Sequence, residues 1–289
     1  MKTTFKIFVL VTISVLTSCI SKQKSPSGIT VSILPQKYVV DNLMDGTVPV
    51  NVLIPAGSSP ATYSPSPAKI KGLGESKLYL KIGHIGFEQA WTGKISEINP
   101  NLVITDTSNG ISFIRGEDYV HGDHVHKGGI DPHIWTSPKT MLTVIKNTQV
   151  ALSKEFPEQK TNITKNAQVL IEKIKKLDLE FEERCNSFTQ KSFYIFHPAY
   201  TYLARDYGLK QISIEHKGKE PSAQWLKTLI DNGRENNIKA IFIQEEFDKR
   251  NAEIIAKELN IPAIQVNPLS LNWEKEMKNT LSKLENALK

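Results

Sequence analysis

A chain of 289 residues, 39% hydrophobic and 23% charged, has the proportions of a soluble globular protein of one or two domains with a sizeable core. Its formal net charge of +6 drops to +4 once Lys2 and Lys6 leave with the N-terminal segment. The remaining Lys and Arg are scattered over Lys-rich helices without interleaved aromatics, the pattern of a solvated surface, which speaks against a nucleic-acid partner.

The N-terminus reads MKTTFKIFVLVTISVLTSC. Two lysines precede an apolar run from Ile7 to Leu16 that is too short to span a bilayer comfortably, as in a secretory signal. The tetrapeptide Leu16-Thr17-Ser18-Cys19 resembles the bacterial lipobox, which implies removal of residues 1–18 and lipidation of Cys19. Several acyl chains on one residue anchor a protein stably where one does not. Residues 19–28 then read as a polar tether. Cys185 is left as the lone cysteine of the mature chain, unable to form an internal disulfide and placed in a helical setting as a packing residue.

Apolar runs at ITVSILP (29–35), VPVNVLIP (48–55), LYLKIG (78–83) and NLVITD (101–106) read as strands. Helical spacing of Val39, Val40, Leu43 and Met44, and the Ser/Pro entry of 64–76, place helices between them. The second half repeats the style at SFYIFH (192–197), KQISIE (210–215), KAIFIQ (239–244) and IPAIQVN (261–267). Strands alternating with helices predict parallel sheets with helices on both faces, hence an α/β fold. Between the halves, Ile163, Ala167, Leu170, Ile174, Leu177 and Phe181 recur in steps of three and four. This predicts one amphipathic helix over 157–188, with Pro157 in its first turn. The expected organisation is an N-terminal lobe (29–156), this rigid linking helix, and a C-terminal lobe (189–289), with the ligand between the lobes.

In open parallel sheets, ligands bind beyond the carboxyl ends of the strands. The polar residues just past apolar runs are His84, His197, Glu215, Gln244, Glu245 and Asn267. His133, in DPHIW, shares with His197, in FHPAY, a place beside proline in an apolar stretch, which singles these two out as metal ligands. The nearby cluster His121, Asp123, His124 and His126 sits among glycines and is expected to be a mobile loop capturing metal weakly.

The stretches SILPQKYVV, PAGSSPATYSPSP, GHIGFEQAW, DPHIWTSP, FHPAYTYLARDYGL, KEPSAQWL and QVNPLS occur in this order from about Thr30 to the C-terminus. In them the chain resembles the metal receptors of bacterial zinc and manganese ABC importers, the cluster A-I solute-binding proteins. The resemblance implies two α/β lobes joined by one long helix, with the metal buried between them. It implies His133 and His197 as two ligands. The family's first histidine falls at Ala61, however, and its frequent C-terminal acidic ligand falls at Asn267. His84 is therefore the candidate substitute imidazole, and Glu215 or Glu245 the candidate source of negative charge. Zinc accepts imidazole and carboxylate, whereas manganese prefers more oxygen.

The function expected is a monomeric, lipid-anchored, extracytoplasmic receptor that catalyses nothing. It binds a divalent transition metal, zinc first and manganese second, and passes it to an ABC permease. Two alternatives stand beside it: an adhesin-type surface lipoprotein without tight metal binding, and a zinc hydrolase built on His121, Asp123, His124 and His126.

Overall fold

The computed structural model describes residues 28–289 except 117, 118, 122, 123, 127, 128 and 217, and for 119–121 and 124–126 the backbone alone. Cys19 and the tether before Gly28 lie outside the described residues.

The first lobe alternates β1 (Gly28–Val31), α1 (Leu34–Met44), β2 (Val50–Val52), α2 (Pro67–Gly74), β3 (Ser76–Lys81), α3 (Gly86–Ile98) and β4 (Val103–Asp106). Its sheet is parallel, in the order β2-β1-β3-β4. The chain then forms a short antiparallel ribbon of β5 (Tyr119–His121) and β6 (His124–His126). Next come α4 (Pro138–Glu155) and α5 (Lys160–Asn186). The second lobe runs through β7 (Ser192–Ile195), α6 (Thr201–Asp206), β8 (Lys210–Ser213), α7 (Ala223–Glu235), β9 (Ile241–Gln244), α8 (Arg250–Leu259), β10 (Ala263–Val266) and α9 (Trp273–Leu288). Its sheet is parallel as well, in the order β8-β7-β9-β10.

Both sheets thus have the same order, second-first-third-fourth. In such a sheet the connection after the first strand runs to one side and the connection after the third strand to the other, so a crevice opens beyond the carboxyl ends of the first and third strands. The α/β reading holds. The strands are shorter than their apolar runs because the turns begin early. At the end of β1, the backbone N–H groups of Ser32 and Ile33 donate to Gln36 Oε1, at 3.0 and 3.3 Å, and Pro35 enters the first turn of α1. Residues 32–35, expected in the strand, therefore belong to the turn and the helix.

A 3₁₀ turn occupies 157–159, so the linking helix begins at Lys160 rather than at Pro157. Its 27 residues span about 40 Å. Ile163, Ala167, Leu170, Ile174, Leu177, Phe181 and Cys185 line its buried stripe. Burial pushes the Cys185 thiol up to about 12, so it acts as a small apolar side chain. At the far end, Arg184 Nη2 bonds Glu285 Oε2 of α9 at 2.5 Å, fastening the helix to the second lobe. One continuous core runs from β1 through α4 and α5 to α9, and a smaller one fills the space between the second sheet and α7 and α8. Among the described residues, no helix is long and apolar enough to cross a membrane.

Candidate metal centre

His197 lies two residues past β7, at the crevice of the second sheet. Its backbone is clasped by a neighbour: Gln244, the last residue of β9, accepts the His197 N–H through Oε1 at 3.3 Å and donates through Nε2 to the His197 carbonyl at 2.6 Å. Its ring is sandwiched on one side by Phe247, at 5.1 Å and 22°. Its Nδ1 bonds Glu215 Oε2 at 2.9 Å.

His133 precedes a single 3₁₀ turn, Ile134–Thr136. Asp131 Oδ1 accepts from both its backbone N–H and its Nδ1, each at 2.9 Å. The segment around it is bolted to the second lobe, although it comes before the linking helix in the chain. Trp135 Nε1 donates to the Pro268 carbonyl at 3.1 Å, Thr136 Oγ1 to Ala199 at 2.9 Å, and Tyr202 Oη to Asp131 at 2.8 Å. Trp273 Nε1 returns a bond to the Trp135 carbonyl at 2.7 Å. Two histidines 64 positions apart in the chain therefore share one support.

Their Nε2 atoms face each other at 3.2 Å. With a carboxylate at each Nδ1, the proton of each neutral ring sits on Nδ1 and Nε2 presents its lone pair. Two lone pairs pointed at one another repel unless a proton or a metal lies between them. At a zinc–nitrogen distance of about 2.0–2.1 Å, two nitrogens so spaced subtend about 100° at a shared ion, close to a tetrahedral angle. Carboxylates behind the rings fix tautomer and orientation and raise ligand basicity. Burial holds His133 below the ordinary imidazole value, against the opposing pull of Asp131. For Asp131, burial opposes ionisation, but the His133 ring and backbone outweigh it and the carboxyl sits lower than usual.

The pair opens into a cleft of about 230 Å³, lined by Ser59, Pro60, Ala61, Ile85 and Gly86 of the first lobe and by Pro132, Trp135, Ala199, Glu246, Pro268 and Leu269 opposite. Ala61, where the resemblance places an imidazole, is thus part of the wall. A Cβ on Gly86 would lie 3.5 Å from the Ala61 carbonyl, so the two first-lobe segments abut. The segment carrying Ile85 and Gly86 is held from beneath by buried Glu88, which accepts from Ile82 N–H and Gly83 N–H at 2.7 Å each and from the Ser32 hydroxyl. Gly83 has φ +125°, and a Cβ there would meet Ser108 Oγ at 2.5 Å, so only glycine fits that bend.

The remaining expected residues lie elsewhere. His84 sets its ring edge-on to Phe113 at 4.4 Å, outside the cleft lining. Glu215 stands behind His197 and engages its outer nitrogen instead of the space between the rings. Glu245 Oε2 takes the Asn267 amide at 2.8 Å on the exposed side. Asn267 spends its oxygen on the Leu269 N–H at 3.1 Å and so shapes the turn that brings Pro268 and Leu269 into the wall. The backbone at His121 and His124 is paired in the β5–β6 ribbon where a loop was expected. The side chains of His121, Asp123, His124 and His126 lie outside the described residues. Among the described residues, no three His, Cys, Asp or Glu side chains are gathered closely enough to hold an ion as they stand.

Two residues escaped the sequence reading. Asp131 had a signal, an acid two positions before a histidine across a proline. Glu246 had only its membership of an acidic doublet, and sequence does not say which member faces the cleft. Glu246 lines it, while Glu245 faces away. Burial pushes the Glu246 carboxyl above the ordinary carboxylate value, with its own backbone N–H and His197 pulling back.

The chain is similar to known proteins through both lobes. The model of the family described as zinc-uptake complex component A, periplasmic, matches residues 29–287. Zinc-binding protein AdcA of Streptococcus pyogenes is 32% identical over 267 residues, 84% of this chain and 49% of its own. High-affinity zinc uptake system protein ZnuA of Bacillus subtilis is 29% identical over 229 residues, 76% of this chain and 71% of its own. A crystal structure of ZnuA superposes with a TM-score of 0.84 at 34% identity, covering 91% of this chain and 99% of that one. The chain spans about half the length of the AdcA relatives it matches. With the match running through both lobes and the helix between them, the chain belongs to the zinc-uptake complex component A family.

Proposed function

We propose that this protein is an extracytoplasmic receptor that captures a divalent transition metal, zinc first, between His133 and His197 and hands it to an ABC permease. The observation that carries the reading is the pair of Nε2 atoms 3.2 Å apart, each ring with a carboxylate at its Nδ1. Neutral nitrogen donors at a near-tetrahedral angle suit zinc better than manganese, which favours oxygen. The family match, and relatives named for zinc binding and zinc uptake, support the same cargo and the same delivery role. They also favour capture and release over the hydrolase alternative.

Lipidation at Cys19 belongs to the proposal. Its support is the lipobox-like Leu16–Cys19 and a relative named as a zinc-binding lipoprotein, AdcA of Streptococcus pneumoniae. A single receptor per ion follows from a site whose two imidazoles both come from one chain.

Equilibrium dialysis against zinc tests the reading. Replacing His133 or His197 with Ala is expected to cost at least about tenfold in affinity, and Asp131→Asn or Glu215→Gln about 10–100-fold, because these hold the rings. The double histidine variant should lose little beyond either single one, since one ion depends on both. His84→Ala should bind like the wild type. Unchanged affinity in both single histidine variants removes the site from where we place it.

A further inference from the structure

We infer that Glu246 is the anionic donor that joins His133 and His197 on the ion, an assignment that rests on the capture function proposed above. The family resemblance puts no ligand at this position, and the position it favours for an acid holds Asn267, whose carboxamide is taken up by Leu269 and Glu245. A dication between two neutral rings in a half-buried cleft calls for a negative donor beside it. Asp131 and Glu215 stand across the rings from the ion, where each is occupied by an Nδ1. Of the other described side chains lining the cleft, only the Ser59 hydroxyl and the Glu246 carboxylate carry a lone pair that a metal accepts readily. The carboxylate alone brings charge.

Its placement is built, not incidental. On one side of Glu246, the Gln244 side chain clasps the His197 backbone at both its N–H and its carbonyl. On the other, Phe247 stacks on the His197 ring and packs against Phe196 at 5.3 Å. The backbone at 246 is thereby held in register with the imidazole on both flanks, while the side chain keeps three torsions about which the carboxylate can reorient. The described residues hold no ready-made three-ligand cluster, so this donor arrives by rotation when the ion enters. Two nitrogens and one oxygen then leave the fourth tetrahedral position to water. The anion comes from the loop after the third strand of the second sheet, and the second lobe's framework supports all three donors.

The full chain with Glu246→Gln tests this, since the amide keeps the shape and removes the charge. Zinc affinity by equilibrium dialysis is expected to fall on the order of tenfold or more, at least what an outer carboxylate costs. Affinity alone does not separate ligation from positioning, so the deciding readout is the zinc-minus-apo infrared difference spectrum. The wild type should show the paired carboxylate stretches of a metal-bound Glu, and Glu246→Gln should lack them while keeping the smaller changes from Asp131 and Glu215. An unchanged difference spectrum overturns the assignment, whatever the affinity. In that case His133→Ala would still lose binding, which leaves the capture reading standing. If His133→Ala and His197→Ala bind zinc like the wild type, the capture reading falls and this assignment falls with it.

Discussion

His133 shows how much a protein adds to one imidazole. Its ring lies 5.2 Å from that of Trp135 and 5.0 Å from that of His197, and its side chain retains 12% exposure. That burial disfavours the imidazolium and holds His133 below the ordinary value of 6.5. Metal binds the neutral ring, so the proton competes for Nε2 as the medium turns acid, and the depressed value postpones that competition. Zinc affinity is therefore expected to fall as the medium is taken from about pH 7.5 to about pH 5, with the His133 contribution lost below the range of free imidazole. Dialysis at a series of pH values checks this. Affinity that is flat across the range would mean that no imidazole competes with the proton for the ion.

The loop between β3 and α3 forms part of the cleft wall, and a single side chain fixes its course. Glu88 is fully buried and receives two backbone N–H groups, one on each oxygen. Burial pushes its carboxyl up to about 7, while the Ser32 hydroxyl and the two N–H groups oppose that shift. The folded protein thus holds this proton over a range in which the unfolded chain has released it. Stability from this group is present below the unfolded value of 4.5 and is lost as pH rises through about 7. Glu88→Gln would remove that slope. It would also set an amide N–H against a backbone N–H, leaving one buried donor unpaired at about 1–3 kcal/mol. Denaturant unfolding of the two proteins at several pH values should show a lower, flatter profile for the variant. A wild-type stability that rises steadily from about pH 4.5 to about pH 7 would contradict the account.

For the molecule as a whole, the consequence of Ala61 is mechanical. Both imidazoles are carried on the second lobe's framework through Pro268, Ala199 and Tyr202, and the first lobe contributes small or apolar wall at Pro60, Ala61, Ile85 and Gly86. An ion held that way stabilises the fold by its binding free energy without tying the lobes through a first-lobe ligand. Ala61→His places an imidazole on the opposite wall. Zinc affinity should rise, and at equal zinc the melting temperature should rise further above the apo value than in the wild type. Calorimetric scans with and without zinc give both shifts. Equal shifts in the two proteins would show that position 61 does not face the ion.

The α/β class and the long helix were legible in the sequence because they rest on local periodicity. The three- and four-residue steps from Ile163 to Phe181 specify one buried stripe whatever the helix packs against, and apolar runs between helices leave parallel sheets as the arrangement that buries both faces. His133 and His197 stand out in the sequence by their proline-flanked apolar settings, and the fold brings their Nε2 atoms to 3.2 Å. Other features were not. His84, Glu215, Glu245 and Asn267 share with His197 the position just past a strand, yet the fold turns them to Phe113, to an imidazole Nδ1 and to each other. The support of His133 by the second lobe, across the linking helix, and the turning of Glu246 but not Glu245 into the cleft also came only with the tertiary structure. Periodicity is a property of neighbouring residues and survives without long-range contacts. The direction in which a polar side chain points at the end of a strand depends on which distant segment packs beside it, and the chain alone does not encode that locally.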